Sequence, residues 1–143
     1  MIITEQGDKV MPTITRTIPV AAGAPAAWDA IADPARINEL LTFLGPVTVT
    51  GDQRTCSLGE QGSLEELLVS SDPTLRRVAY SITSSPFGFT HHHASMEVHD
   101  SIDGATLVWT TDFLPADLRD AIEVVIDLGV ASVQTTLGTR EPA

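Results

Sequence analysis

The chain has 143 residues, 43% of them hydrophobic, 19% charged and only 5% aromatic, with 8 Lys and Arg against 19 Asp and Glu for a formal charge of -11. That length suits one domain that buries most of its apolar surface without disulfides or a structural metal, and the acidity with no basic cluster excludes a phosphate backbone or an anionic bilayer as natural partners. One cysteine, Cys56, cannot form an internal disulfide, so the cytoplasm is the expected compartment. The opening MIITEQGDKVMP has no apolar h-region, and no stretch reaches the roughly 20 apolar residues of a membrane span.

In chain order, residues 1–11 are polar and without period, and are expected to be a mobile leader before a single domain over 12–143. TITRTIPV, Thr13 to Val20, alternates as a half-buried strand, and Pro19 places it at an edge or a bend. Two short helices are expected next, one with Pro25 in its first turn and one opened by Asp33-Pro34 and closed by Gly45-Pro46. From Val47 to Leu114 extended runs alternate with short turn segments, the pattern of an antiparallel meander. After Pro115 the spacing becomes helical for about 22 residues, roughly 33 Å at 1.5 Å per residue, with Leu118, Ile122, Val125, Gly129, Ser132 and Thr136 on one side and Gly138 as the stop. Strands followed by one long helix make an α+β layout with that helix over one face of the sheet.

The segments APAAWDAIADPARINELL, RTCSL leading through a glycine turn to SLEELL, DPTLRRVAYSI and TLVWTTDFLP, in that order, resemble the START/Bet v 1-like superfamily (SRPBCC proteins) and within it the polyketide cyclase/dehydrase branch. The resemblance runs from about Thr13 to Gly138. It implies a helix-grip fold, a curved seven-stranded antiparallel sheet around a long C-terminal helix, with an apolar cavity between them. Aromatase/cyclases, lipid carriers and plant hormone binders share that fold, so it does not decide the function. The short connection Gly51-Asp52-Gln53 lacks the glycine-rich loop of the plant members, so a phosphate-cradling loop is not supported.

Strand periodicity assigns side chains to the cavity. With a two-residue turn at Asp103-Gly104, opposed residue numbers sum to 207, which sets Val98 against Trp109, Met96 against Thr111 and Ala94 against Phe113 on the apolar side. His92 falls on that side, while His91 and His93 point away. Val78, Tyr80 and Ile82 form an inward set; their partner SLEELLV is apolar on both faces, and the resemblance, through the family's pattern of a glutamate two residues before a leucine, implies that Leu64, Glu66 and Leu68 face them, the alternative register putting Glu65 inside instead.

Three polar groups are the candidate catalytic set. A carboxyl in an apolar cavity is a natural acid or base near neutral pH, which singles out Glu66 unless Arg54 on the neighbouring strand holds it. Tyr80 is suited to donate to a carbonyl and stabilise an enolate, unless it is simply a wall residue. His92 titrates near neutrality and is suited to move a proton, unless it only lines the rim. Trp28, Arg54, Met96, Trp109, Thr111, Phe113 and Val125 are the expected ligand contacts, with Gly129 and Ser132 small enough to leave a ligand room. His91 and His93 match no established zinc motif, and no metal or cofactor is expected. Cys56 lacks an activating histidine nearby in sequence and is read as core filler.

The leading expectation is a cavity that binds a small apolar, aromatic or polyketide-like molecule and catalyses cyclisation or dehydration by proton transfer and enolate stabilisation. The alternative is a non-catalytic carrier or sensor of a hydrophobic small molecule, and a third is a binding module acting through a protein partner. A monomer or homodimer is expected.

Overall fold

A computed structural model describes residues 10–140; most of the expected leader lies outside the described residues. The order is β1 (Thr13–Val20), α1 (Ala24–Ala32), a 3-10 turn (Pro34–Arg36), α2 (Ile37–Leu40), β2 (Val47–Thr50), β3 (Gln53–Ser57), β4 (Ser63–Asp72), β5 (Arg77–Ser84), β6 (His91–Ser101), β7 (Gly104–Leu114), a second 3-10 turn (Ala116–Leu118) and α3 (Arg119–Leu137). The strands form one antiparallel sheet in the order β1-β7-β6-β5-β4-β3-β2. Every neighbour but one is consecutive in sequence, and the exception brings β1 back beside β7. This is the helix-grip architecture expected from the resemblance. Among the described residues no helix is long and apolar enough to cross a membrane.

Alternation is cleanest in β7, where every second residue from Ala105 to Phe113 is buried and the intervening ones are half-buried. Its partner β6 does the same with His92, Ala94, Met96 and Val98. The pairing differs from the expected one: Met96 opposes Trp109, Val98 opposes Leu107 and His92 opposes Phe113, so opposed numbers sum to 205. The turn is Ile102-Asp103, with Asp103 in the left-handed region at φ 65°. Gly104 is instead the first residue of β7, where a Cβ would run into the Val20 carbonyl oxygen. Because each strand slips by one residue, the sum changes by two and every side chain keeps its expected face.

The helices follow local chemistry. Pro25 occupies the first turn of α1, which buries Ala24, Ala27 and Ile31. Asp33 accepts a hydrogen bond from the Ala35 N–H at 3.0 Å and starts the 3-10 turn. Helix α2 stops at Leu40, short of the expected end, and the following loop is tied to β3 by Gly45 N–H donating to the Ser57 carbonyl at 2.9 Å. Helix α3 has 19 residues, about 28 Å, because the first turn of the expected helix is 3-10. It buries Ile122, Ile126, Gly129 and Val133 toward the sheet and ends before Gly138, at φ 86°.

A candidate ligand cavity with a buried ion pair

The inward rows of β3 and β4 are not uniformly apolar. Register places Arg54 opposite Glu66 and Cys56 opposite Leu64, and Arg54, Glu66 and Cys56 are all at least 95% buried. Glu66 rather than Glu65 is the inward carboxylate; Glu65 lies on the other face, where it accepts from Gln53 Nε2 at 3.4 Å. Arg54 Nε donates to Glu66 Oε1 at 2.6 Å, and its Nη1 donates to the Pro34 carbonyl at 3.3 Å. Cys56 Sγ donates to the same carboxylate oxygen at 3.6 Å. Two charges this deep persist because each neutralises the other and further polar partners complete their shells. Burial, then the Glu66 charge, push the Cys56 thiol up to about 12, so it stays protonated and is no nucleophile.

Tyr80 and His92 stand beside this pair. The Trp109 indole Nε1–H donates to the Tyr80 hydroxyl at 3.1 Å, and the Arg54 guanidinium carbon lies 5.5 Å from the Tyr80 ring centroid, within cation–π range. Burial first and the Glu66 charge second raise the Tyr80 phenol above its ordinary value, so it remains an un-ionised donor. The β5–β6 ladder ends at Tyr80 opposite Ala94. Beyond it, the Ile82 N–H donates to His92 Nδ1 at 2.9 Å. The His92 ring packs 5.0 Å from Phe89 and 5.8 Å from Tyr80, centroid to centroid. Burial, reinforced by His93 and His91, pushes His92 down to about 4. Because Nδ1 accepts a backbone N–H, it carries no proton, and burial moves the ring below the ordinary imidazole range in the direction of the neutral form.

Two cavities meet at these residues. An inner chamber of about 70 Å³ lies under α3 and is lined by Glu66, Tyr80, His92, Trp109, Thr111 and Val125 among others. An outer one of about 230 Å³ lies between the α1 end and β4–β5, with Met96 and Val78 in its wall. Ile37, Arg54 and Tyr80 border both and form the partition. The outer cavity sits where β4 is irregular, its register to β5 shifting between Leu68 and Ser70.

Several expected contacts lie elsewhere. Trp28 packs half-buried against the core and borders neither cavity. Phe113 is fully buried and meets Phe89 edge-on at 6.2 Å without reaching the inner chamber. Gly129 leaves no space for a ligand, because a Cβ there would sit 2.5 Å from the Trp109 ring; its smallness lets that indole approach the helix. Ser132 is a clasp: its Oγ donates to the Leu40 carbonyl at 2.7 Å and accepts from Thr42 N–H at 2.9 Å. Sequence reasoning missed Phe43, Phe87 and Phe89, which also line the inner chamber. The signal was available: three of only four phenylalanines fall in connections, where burial in a core does not explain them. Among the described residues, no three His, Cys, Asp or Glu side chains come together as a metal site.

The family model described as polyketide cyclase / dehydrase and lipid transport matches residues 11–138. No curated protein sequence matches the chain. Among solved structures, a protein from Thermobifida fusca is similar at 26% identity and a TM-score of 0.75, over 92% of this chain and 99% of that one. The Zhui aromatase/cyclase of a Streptomyces species is similar at 18% identity and a TM-score of 0.68, over 90% and 92%. Norcoclaurine synthase from Thalictrum flavum, in complex with dopamine and hydroxybenzaldehyde, is similar at 14% identity and a TM-score of 0.66, over 99% and 95%.

Proposed function

Because the chain belongs to the polyketide cyclase/dehydrase and lipid transport family, we propose that it binds a small, largely apolar, aromatic or polyketide-like molecule between sheet and α3 and acts on it by cyclisation or dehydration. The observation that carries this reading is the Tyr80 hydroxyl. It is held by the Trp109 indole in an otherwise apolar wall, beside a carboxylate with a free oxygen. Glu66 Oε1 takes the Arg54 and Cys56 hydrogens, whereas Oε2 has no partner among the described residues. In an aldol-type closure with loss of water, Glu66 takes the proton next to the substrate carbonyl, and the electron pair moves onto the carbonyl oxygen. The Tyr80 hydrogen bond stabilises that enolate. The new carbon–carbon bond then forms to a second carbonyl of the substrate, whose oxygen takes that proton back from Glu66 and becomes a hydroxyl; Glu66 next removes the second proton from the same carbon, and the hydroxyl leaves as water with it. Water exclusion by the phenylalanines over the chamber strengthens both hydrogen bond and charge.

The two cavities, about 230 and 70 Å³, are both smaller than the roughly 300–1,000 Å³ of typical small-molecule sites, so a compact substrate of one or two rings fits better than a long chain. A carrier or sensor is the second reading, favoured by the Arg54–Glu66 pair, which already occupies the carboxylate as a structural group would. Native mass spectrometry of protein purified from its host identifies the bound molecule. With that molecule in hand, Glu66→Gln and Tyr80→Phe abolish turnover while affinity falls by no more than about tenfold if the protein is an enzyme, and change affinity alone if it is a carrier.

A further inference from the structure

We infer that His92 and Tyr80 act together as a fixed pair of neutral hydrogen-bond donors that selects molecules whose buried end is a carbonyl oxygen, a ketone or an aldehyde. This rests on the ligand-binding reading above and names the ligand class for the same chamber. A neutral imidazole carries one hydrogen, and the nitrogen that accepts a hydrogen bond is the one without it. His92 Nδ1 accepts from the Ile82 N–H, so the hydrogen is on Nε2. That assignment is built into the sheet: the β5–β6 ladder has ended, and the Ile82 N–H would otherwise be unpaired.

Nε2 makes no hydrogen bond among the described residues, yet none of their buried side-chain nitrogen or oxygen atoms lacks a partner. Nε2 therefore borders open space rather than packed side chains, and the chamber His92 lines is the inner one. The Tyr80 hydroxyl is in a parallel condition. It accepts from Trp109, and its own hydrogen goes to no acceptor among the described residues. Both side chains, un-ionised and held from behind by β5 backbone or an indole, line the same inner chamber, their ring centroids 5.8 Å apart. A carbonyl oxygen has two lone pairs and no hydrogen, so it can take both donors at once. A hydrocarbon of the same shape takes neither and leaves both desolvated without a partner.

1-Indanone and indane, which differ by one carbonyl, are the probes. The first measurement needs no ligand: long-range proton–nitrogen correlation spectra at pH 7, with His92 assigned by its loss in His92→Gln, show a protonated Nε2 and a bare Nδ1. The reverse tautomer, or a charged ring, overturns the inference. In titrations the native protein binds 1-indanone at least about tenfold more tightly than indane, taking roughly 3–10-fold per hydrogen bond. The bound ketone's carbonyl stretch moves to lower frequency than in hexane. Tyr80→Phe and His92→Phe each remove roughly 3–10-fold of 1-indanone affinity and leave indane unchanged, and His92→Gln, which keeps an N–H, recovers part of the loss. Circular dichroism identifies any variant that fails to fold, and His92→Gln then carries the comparison against native. Equal affinity of the native protein for the two probes overturns the donor pair while cavity binding stands. Binding of neither probe overturns the cavity reading and the inference with it.

Discussion

The β6–β7 hairpin and the β3–β4 hairpin read alike as alternating strands, yet their inward rows are different in kind. In β6–β7 the row is Val98, Met96, Ala94 and His92 with Leu107, Trp109, Thr111 and Phe113, almost fully buried and apolar except for the uncharged His92 and Thr111 at one end. In β3–β4 the same geometric positions hold Arg54, Cys56 and Glu66, just as deeply buried. The first hairpin turns inward only apolar and uncharged polar side chains; the second buries two charges and compensates by pairing them across the register. Departures from local consistency concentrate where a protein does chemistry; Tyr80 stands on β5 between the two hairpins, and His92 on the β6 strand of the first.

The largest effect is expected from breaking the polar row on one side only. Arg54→Met or Glu66→Leu alone leaves a buried unpaired charge and costs about 3–5 kcal/mol in urea unfolding, whereas the double variant is near native or better. A double variant as unstable as the singles would mean that this row is held by more than its ion pair.

Next comes the pH dependence set by His92. The unfolded chain titrates near the ordinary imidazole value of 6.5 and the folded one at about 4. Between these values only the unfolded state takes up the proton. Stability is thus unaffected above pH 6.5 and declines as pH falls, with about 3 kcal/mol lost by pH 4 and no further loss from this group below that. Unfolding midpoints of native protein and His92→Gln at pH 7 and pH 4.5 check this: the native midpoint falls further.

A smaller change tests the apolar hairpin. Gly129→Ala pushes a methyl against the Trp109 ring and is expected to cost about 1–3 kcal/mol by overpacking, with Trp109 fluorescence altered as the indole shifts from Tyr80. The smallest effect belongs to the surface: Arg36→Ala removes an exposed i,i+3 pair with Glu39 and leaves the unfolding midpoint unchanged within error.

Most of the fold was legible because period-two alternation survives errors of register. Asp103-Gly104 was the wrong turn, but a shift of one residue on each strand preserved the faces of Met96, Trp109 and His92. Parity alone leaves Glu66 and Glu65 undecided, because SLEELLV is apolar on both faces; the family resemblance favours Glu66, and whether Arg54 engages it depends on the three-dimensional register. What the chain did not reveal were matters of volume. A glycine in a helix either opens space or admits a neighbour, and Gly129 does the second because Trp109 reaches it. Ser132 reads as small, yet its hydroxyl fastens the α2 loop. The partition of the interior into two cavities depends on where Tyr80 and Arg54 come to rest, and on a bulge at Leu68–Ser70 that no turn residue announces.

The strand order also has a consequence for synthesis. Strands β2 to β7 can pair one after another as they leave the ribosome, each with the strand just made. The first strand cannot: Thr13 waits for Asp112, 99 residues later. At roughly 5–20 residues per second its apolar row of Ile14, Ile18 and Val20 stays without a partner for on the order of 5–20 s. It is the segment that a chaperone or a neighbouring nascent chain meets first, and the one whose late docking closes the sheet.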